Sequence, residues 1–261
     1  MDVTRSEIAG KVVVVTGAGS GIGRALCIDF SNEGAAVVAI GRREGSLRET
    51  ADLCAQPVVC LVANLSQSDE CLNAIRTTLA SKSCIDVLIN NAGIAAWGPF
   101  LDKSIPEWDE VLAVNVVGVA ACSHAVLPHM ISQGYGRIIT LTSRMAATAS
   151  SGASAYCASK AAVSALTRCL AAEVTSKHPN VLINDLIPGP TITQLSSTGQ
   201  HPESVYPFIR QLVLLPRGGP SGQAFFRGRP YNLFRSDQPL QRFLTRGVQW
   251  WHRKKRPVHS R

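Results

Sequence analysis

Lys11 to Gly23 reads KVVVVTGAGSGIG. Lys11 to Val15 is a compact β-branched run, the mark of a strand covered on both faces. Thr16 to Gly23 packs four glycines into eight residues. Arg24 to Glu33 then reads as a helix, stopped near Gly34. Strand, glycine-rich turn and helix in that order form a pyrophosphate-binding arrangement. The glycines let backbone approach the phosphates, which rest on the helix N-terminus. A glycine-rich turn alone is weak evidence; one between a buried strand and a helix is stronger.

Outward from this turn the pattern repeats. Ala36 to Ile40 is a second strand and ends in Gly41-Arg42-Arg43. An NAD site places a carboxylate here for the ribose 2′-hydroxyl. This chain offers two guanidiniums instead, shaped to grip a 2′-phosphate, so NADP(H) is expected over NAD(H). The competing reading makes both arginines solvated loop residues. Further on, helices are expected at 46–55 and 68–80, and strands at 58–62 and 85–89, the latter running into Asn90-Asn91-Ala92-Gly93. A long helix follows over 106–130, then a strand at 137–141, a helix at 154–177 and a strand at 181–187. Residues 190–215 read as a flap passing into an apolar helix, and 222–226 as a last short strand. The alternation predicts an α/β fold with a doubly wound parallel sheet and helices on both faces. Ligands in such sheets bind beyond the strand C-termini, where every motif named so far lies.

Ser143 to Lys160 reads SRMAATASSGASAYCASK. Tyr156 and Lys160 are four apart, so on a helix they share a face. Ser143 follows a strand and should stand at the sheet's mouth. Reducing a carbonyl takes a hydride at carbon and a proton at oxygen, and a hydroxyl, a phenol and an ammonium converging on one point can deliver that proton. An ammonium about 4 Å from the phenol, at an effective dielectric of about 20, favours the phenolate by roughly 4 kcal/mol. Burial opposes this. The expectation is that Lys160 wins and brings Tyr156 into general acid/base range. Asn115, in VLAVNVVG, is unfavourable inside an apolar helix unless it acts locally. It either satisfies a core hydrogen bond or distorts the helix towards the site.

The chain has 261 residues, 46% hydrophobic and 17% charged, which suits one globular domain. Of the net charge of +8, residues 235–261 hold eight Lys/Arg and one Asp, leaving a nearly neutral body over 1–234. The domain is therefore placed at 1–234, with a basic tail at 235–261. No apolar run reaches the ~18 residues of a membrane span, and no signal-peptide core is seen; a cytoplasmic location is expected. Cys27, Cys54, Cys60, Cys71, Cys84, Cys122, Cys157 and Cys169 show no zinc or CxxC spacing and read as small core residues. No metal is expected. The tail ends WWHRKKRPVHSR. A nucleic-acid or membrane contact there is a minor alternative to a bland extension.

Taken jointly, TGAGSGIG (Thr16 to Gly23), NNAG (Asn90 to Gly93), the mid-helix Asn115, Ser143, YCASK (Tyr156 to Lys160) and PGPTIT (Pro188 to Thr193) resemble the short-chain dehydrogenases/reductases over about residues 8–190. The resemblance implies a Rossmann-type sheet of about seven strands and a catalytic tetrad of Asn115, Ser143, Tyr156 and Lys160. In that family the Tyr is the acid/base, the Ser positions the carbonyl, the Lys binds the nicotinamide ribose, and the Asn holds a relay water. The implied cofactor contacts are Gly17, Ser20, Gly21, Ile22, Gly23, Arg42, Arg43, Asn64, Leu65, Asn91, Ala92, Gly93, Tyr156, Lys160, Pro188, Gly189, Thr191 and Thr193. A homodimer or homotetramer packed through the helices bearing Asn115 and Tyr156 is implied as well. Two departures stand out. Asn64 replaces an Asp that contacts adenine in many members, and residues 200–234 lack the common glycine-rich ending, looking more like carbonyl-reductase-like members.

The expected activity is NADPH-dependent interconversion of a carbonyl (ketone, aldehyde or 3-oxoacyl type) and its alcohol. The alternative is a non-catalytic NADP(H)-sensing or scaffold protein on the same fold. Ile94 to Phe100, Met145 to Ser151 and Gln194 to Phe208 should set specificity for a small, uncharged, moderately hydrophobic molecule. Trp97, Met145 and Phe208 are candidate lining residues.

Overall fold

The computed structural model describes residues 6–234; the basic tail lies outside them. The first strand, β1 (Val12–Thr16), is buried at all five positions. Val13 and Val15 face one core layer with Leu26, Phe30 and Ile209; Val12 and Val14 face the other with Ile75, Val126 and Met130. The β-branched run is thus split between two layers, each buried valine stabilising the fold by about 1.5–3 kcal/mol as an upper figure.

The remaining elements are α1 (Gly21–Asn32), β2 (Ala36–Gly41), α2 (Glu44–Asp52), β3 (Val59–Val62), α3 (Ser68–Lys82), β4 (Val87–Asn90), α4 (Ile105–Leu112), α5 (Gly118–Gln133), β5 (Gly136–Leu141), α6 (Ser154–Val174), β6 (Val181–Ile187), α7 (Tyr206–Val213), β7 (Ala224–Phe226) and β8 (Arg229–Tyr231). The strand order is β3-β2-β1-β4-β5-β6-β7-β8. All neighbours are parallel except β7 and β8, which form an antiparallel hairpin. The sheet therefore has eight strands, one more than the resemblance implied. The extra one is the short RPY strand (Arg229–Tyr231), too brief and too exposed to carry a periodic signal. The order reverses between β1 and β4, so the crevice for a ligand opens there.

A π-helical turn, Ala113–Val117, joins α4 to α5. The continuous helix Ile105–Gln133 holds an 18-residue window of mean hydropathy 1.8, so by length and composition alone it could cross a membrane. Asn115, Ser123 and His124 interrupt the apolar run, while the window average stays high because the residues around them are strongly apolar. In the fold, Cys122, Val126 and Met130 of this helix lie in the core layer shared with α3 and the sheet.

Candidate active site

The glycine-rich turn is built by close approach. Gly17 has φ +66°, and a Cβ there would lie 2.8 Å from the Ala92 Cα. Asn91 staples the turn from below: its Nδ2 donates to the Thr16 and Gly17 carbonyls at 2.8 and 3.2 Å. Thr16 Oγ1 in turn accepts from the Asn91 and Ala92 amides. A Cβ on Gly23 would meet the Gly17 carbonyl at 2.3 Å. Gly23 thus lets α1 close against the turn and does not itself line the cavity.

Above the strand ends is a cavity of about 240 Å³. It brings together the predicted Gly17, Ser20, Gly21, Ile22, Arg42, Arg43, Asn64, Leu65, Asn91, Ala92, Gly93, Tyr156, Lys160, Pro188 and Thr193. Gly23, Asn115, Ser143, Gly189 and Thr191 do not line it. Thr191 is buried and donates to the Gly189 carbonyl at 3.1 Å, closing the Pro188–Thr193 loop on itself. Gly189, at φ +85°, sits against Arg227, whose Nε would be 2.9 Å from a Cβ there. These two shape the loop that presents Pro188 and Thr193.

Lys160 is buried, and its Nζ donates to the Leu141 carbonyl at 2.8 Å and lies 5.5 Å from the centre of the Tyr156 ring. Ser143 precedes a 3₁₀ turn (Arg144–Ala146), its Oγ accepting from the Met145 amide at 3.2 Å, and it also hydrogen-bonds the Tyr156 phenol. The expectation that the Lys160 charge lowers Tyr156 is corrected here. Burial pushes the phenol up to about 12, against the lowering effect of Ser143. Burial also pushes the Lys160 amine down to about 8, against the raising effect of Asp185. The largest influence on the phenol is its own burial, with Ser143 the opposing contact.

Asn115 meets both readings of its position. It lies in the π turn, and its side chain is fully engaged: Oδ1 accepts from the Ile94 amide at 2.8 Å, and Nδ2 donates to the Ile94 carbonyl and to Ser159 Oγ at 2.8 and 2.9 Å. A Cβ on Gly93 would sit 3.4 Å from Asn115 Oδ1 and 3.5 Å from Lys160 Nζ. Asn115 therefore fixes the strand-end loop beside Lys160.

At the other end of the cavity, Arg42 and Arg43 are exposed. Arg42 stands 3.9 Å from Glu110, a solvent-screened contact of little weight. Glu44 is paired with Arg48 at 2.5 Å and is not directed at a ribose. Asn64 Oδ1 already accepts from Ser66 N and Oγ, at 3.2 and 3.0 Å. The expected acceptor for adenine is thus engaged in an Asx turn, which the VANLS sequence alone did not disclose.

Ser46, Leu141 and Thr142 line the cavity but escaped sequence reading, while Gln194 and Leu195 come from the start of the expected specificity segment. Thr142 could have been found from its place at the end of β5. Its Oγ1 is buried without a hydrogen-bond partner, and the residue lines the cavity. Trp97 is half exposed and its ring lies 5.6 Å from that of Tyr156. Met145 sits half-buried beside Ser143. Phe208 packs on the core layer around Phe30 and is removed from the substrate-lining set.

A glycine cradle beneath a helix N-terminus, an orphan hydroxyl, and a tyrosine and lysine lining one cavity fit a nicotinamide dinucleotide. Residues 11–203 match the family model described as short chain dehydrogenase. The chain belongs to the short-chain dehydrogenase family. It is similar to a short chain dehydrogenase of Pseudocercospora fijiensis, 34% identical over 225 residues covering 82% of this chain and 72% of that one. A 3-oxoacyl-[acyl-carrier-protein] reductase of Staphylococcus epidermidis is 32% identical over 191 residues, covering 72% and 78%. Among solved structures, a putative NAD(P)-dependent gluconate 5-dehydrogenase from Beutenbergia cavernae, with NADP bound at low occupancy, has a TM-score of 0.76 at 32% identity, covering 84% and 95%. This short-chain dehydrogenase is an NAD(P)-dependent oxidoreductase acting on a small molecule.

Proposed function

We propose that this short-chain dehydrogenase uses NADP(H) in preference to NAD(H) to interconvert a ketone, aldehyde or 3-oxoacyl carbonyl with its alcohol. The observation that carries the reading is that Arg42, Arg43 and Ser46 line one end of the cavity whose other end holds Tyr156, Lys160 and Thr142. The dinucleotide supplies the hydride when bound. Gly17, Ser20 and Gly21 would seat its pyrophosphate, and Arg42, Arg43 and Ser46 would meet the 2′-phosphate. Ser143 orients the carbonyl oxygen. Tyr156, protonated at neutral pH, donates its phenolic proton to that oxygen. Lys160 holds the ribose, and Asn115 positions the loop behind it. Trp97 offers a flat apolar face over Tyr156, which suits an uncharged, moderately hydrophobic substrate. The similarity to a 3-oxoacyl reductase supports the 3-oxoacyl type without singling it out. The same reading expects a homodimer or homotetramer packed through the helices bearing Asn115 and Tyr156, which the hydrodynamic mass would show.

The test is turnover of a panel of ketones, aldehydes and 3-oxoacyl thioesters with NADPH and, separately, NADH. Turnover should favour NADPH and vanish in Tyr156→Phe. Arg43→Leu should lower kcat/KM for NADPH about tenfold, the loss of roughly 1.4 kcal/mol of charge-assisted contact, and leave NADH unaffected. A wild-type preference for NADH would overturn the cofactor assignment. Tight NADP(H) binding with no turnover on any carbonyl would favour a sensing or scaffold role.

A further inference from the structure

The site as described leaves a buried carboxyl without a task. Asp185 stands in the middle of β6 and is 1% exposed. Its strand neighbour Asn184 is satisfied by local backbone, donating to the Pro220 carbonyl at 2.8 Å and accepting from the Gln223 amide at 3.1 Å. Asp185 is held by the catalytic helix instead. Its Oδ1 accepts from Thr167 Oγ1 at 2.7 Å, and the Ser164 hydroxyl also hydrogen-bonds the carboxyl.

Lys160, Ser164 and Thr167 recur four and seven residues apart along α6, so they share one face. All three are buried. That face meets both strands. Lys160 Nζ binds the Leu141 carbonyl on β5, and Thr167 binds Asp185 on β6. In the parallel register Thr140 pairs with Asp185 and Leu141 with Leu186. The anchor of the ammonium and the carboxylate are therefore one residue apart along adjacent strands.

We propose that Asp185 is a positioning residue for the reaction, a buried counter-charge held by the Ser164 and Thr167 hydroxyls that keeps the Lys160 ammonium charged and seated on the Leu141 carbonyl. The inference rests on the role given above to Lys160, which holds the ribose and does so as a cation. A buried lysine tends to shed its proton unless an opposite charge opposes burial. The groups around the pair are few. Tyr156 on α6 and the uncharged Asn115 amide face Lys160. Lys160 and Arg168, both on α6, act on Asp185, with Thr140 and Ala224 as uncharged strand neighbours. Burial takes Asp185 up to about 6, opposed by Thr167, Ser164, Lys160 and Arg168. Burial takes Lys160 down to about 8, opposed by Asp185. Between those values both groups are ionised and each sustains the other.

The test reads Lys160 directly. The full chain is labelled at lysine Cε with ¹³C, the Lys160 resonance is assigned by its absence in Lys160→Met, and its titration is followed by NMR. Asp185→Asn, which keeps an oxygen for Thr167, should lower the Lys160 midpoint by about one pH unit. The alkaline limb of the pH–rate profile should move by the same amount. An unchanged midpoint would overturn the proposal. Should Asp185→Asn not fold, the wild-type titration decides: the Lys160 resonance should show a second, smaller inflection near pH 6, and a single transition would count against the coupling. Because this readout needs no substrate, it stands even if the carbonyl panel shows no turnover.

Discussion

At the scale of single residues, the catalytic helix carries two groups pushed in opposite directions by the same cause. Burial holds Tyr156 protonated, up to about 12, and makes Lys160 readier to lose its proton, near 8. On raising the pH, Lys160 is therefore the first of the two to change state. The kcat/KM for NADPH at saturating carbonyl, which reports the cofactor-free enzyme, should fall as pH rises through about 8. A profile flat to pH 10 would contradict this. Stability follows a different course. Lys160 has a folded value below its ordinary 10.5, so its contribution is present above 10.5 and lost as pH falls through about 8. Asp185 has a folded value above its ordinary 3.8, so its contribution is present below 3.8 and lost as pH rises through about 6. Both groups weaken the fold between about 6 and 8, the window in which Lys160 serves as a cation. Here function is retained at the expense of stability.

At the scale of elements, the wall that backs the glycine-rich turn is tied together at one point. Glu33, at the C-terminus of α1, accepts from the Tyr206 hydroxyl at 2.8 Å and from Arg210 Nε at 2.7 Å, both on α7, and from the Ser6 hydroxyl. Tyr206 also packs edge-on against Phe30 of α1, ring centres 5.0 Å apart. Burial raises the Glu33 carboxyl, but Arg210, Ser6 and Tyr206 together outweigh it, and the net shift is downward. Glu33→Ala should cost about 2 kcal/mol in urea unfolding at neutral pH, since it strands a half-buried hydroxyl and a guanidinium. A group with a lowered folded value stabilises above its ordinary 4.5 and loses that effect as pH falls through the folded value. The gap between wild type and Glu33→Gln should therefore narrow in acid; a constant gap from pH 7 to pH 3 would show that the carboxylate charge is not what matters. The sequence marked Gly34 as the helix stop, but nothing local linked Glu33 to residues more than 170 positions away.

At the scale of the whole molecule, we propose that residues 1–234 form the catalytic domain and that the basic segment 235–261, outside the described residues, is dispensable for catalysis. Truncation after Phe234 should leave a folded protein with unchanged kcat and KM for NADPH; a folded truncate without turnover would reject that division. The order of the elements, the parallel sheet and the motifs at its strand ends were legible in the chain itself. β-branched runs such as Val12 to Val15 bury on both faces whatever surrounds them, and glycines such as Gly17 and Gly23 stand where a Cβ would collide. These are local demands, written residue by residue. Only the tertiary structure decided that Asn64 spends its oxygen on Ser66, that Phe208 belongs to the core, that burial raises the Tyr156 phenol, and that Asp185 lies along the face of the catalytic helix. Each depends on which partners distant segments bring and on how much water they exclude, and desolvation and pairing are properties of the folded surroundings, not of the residue.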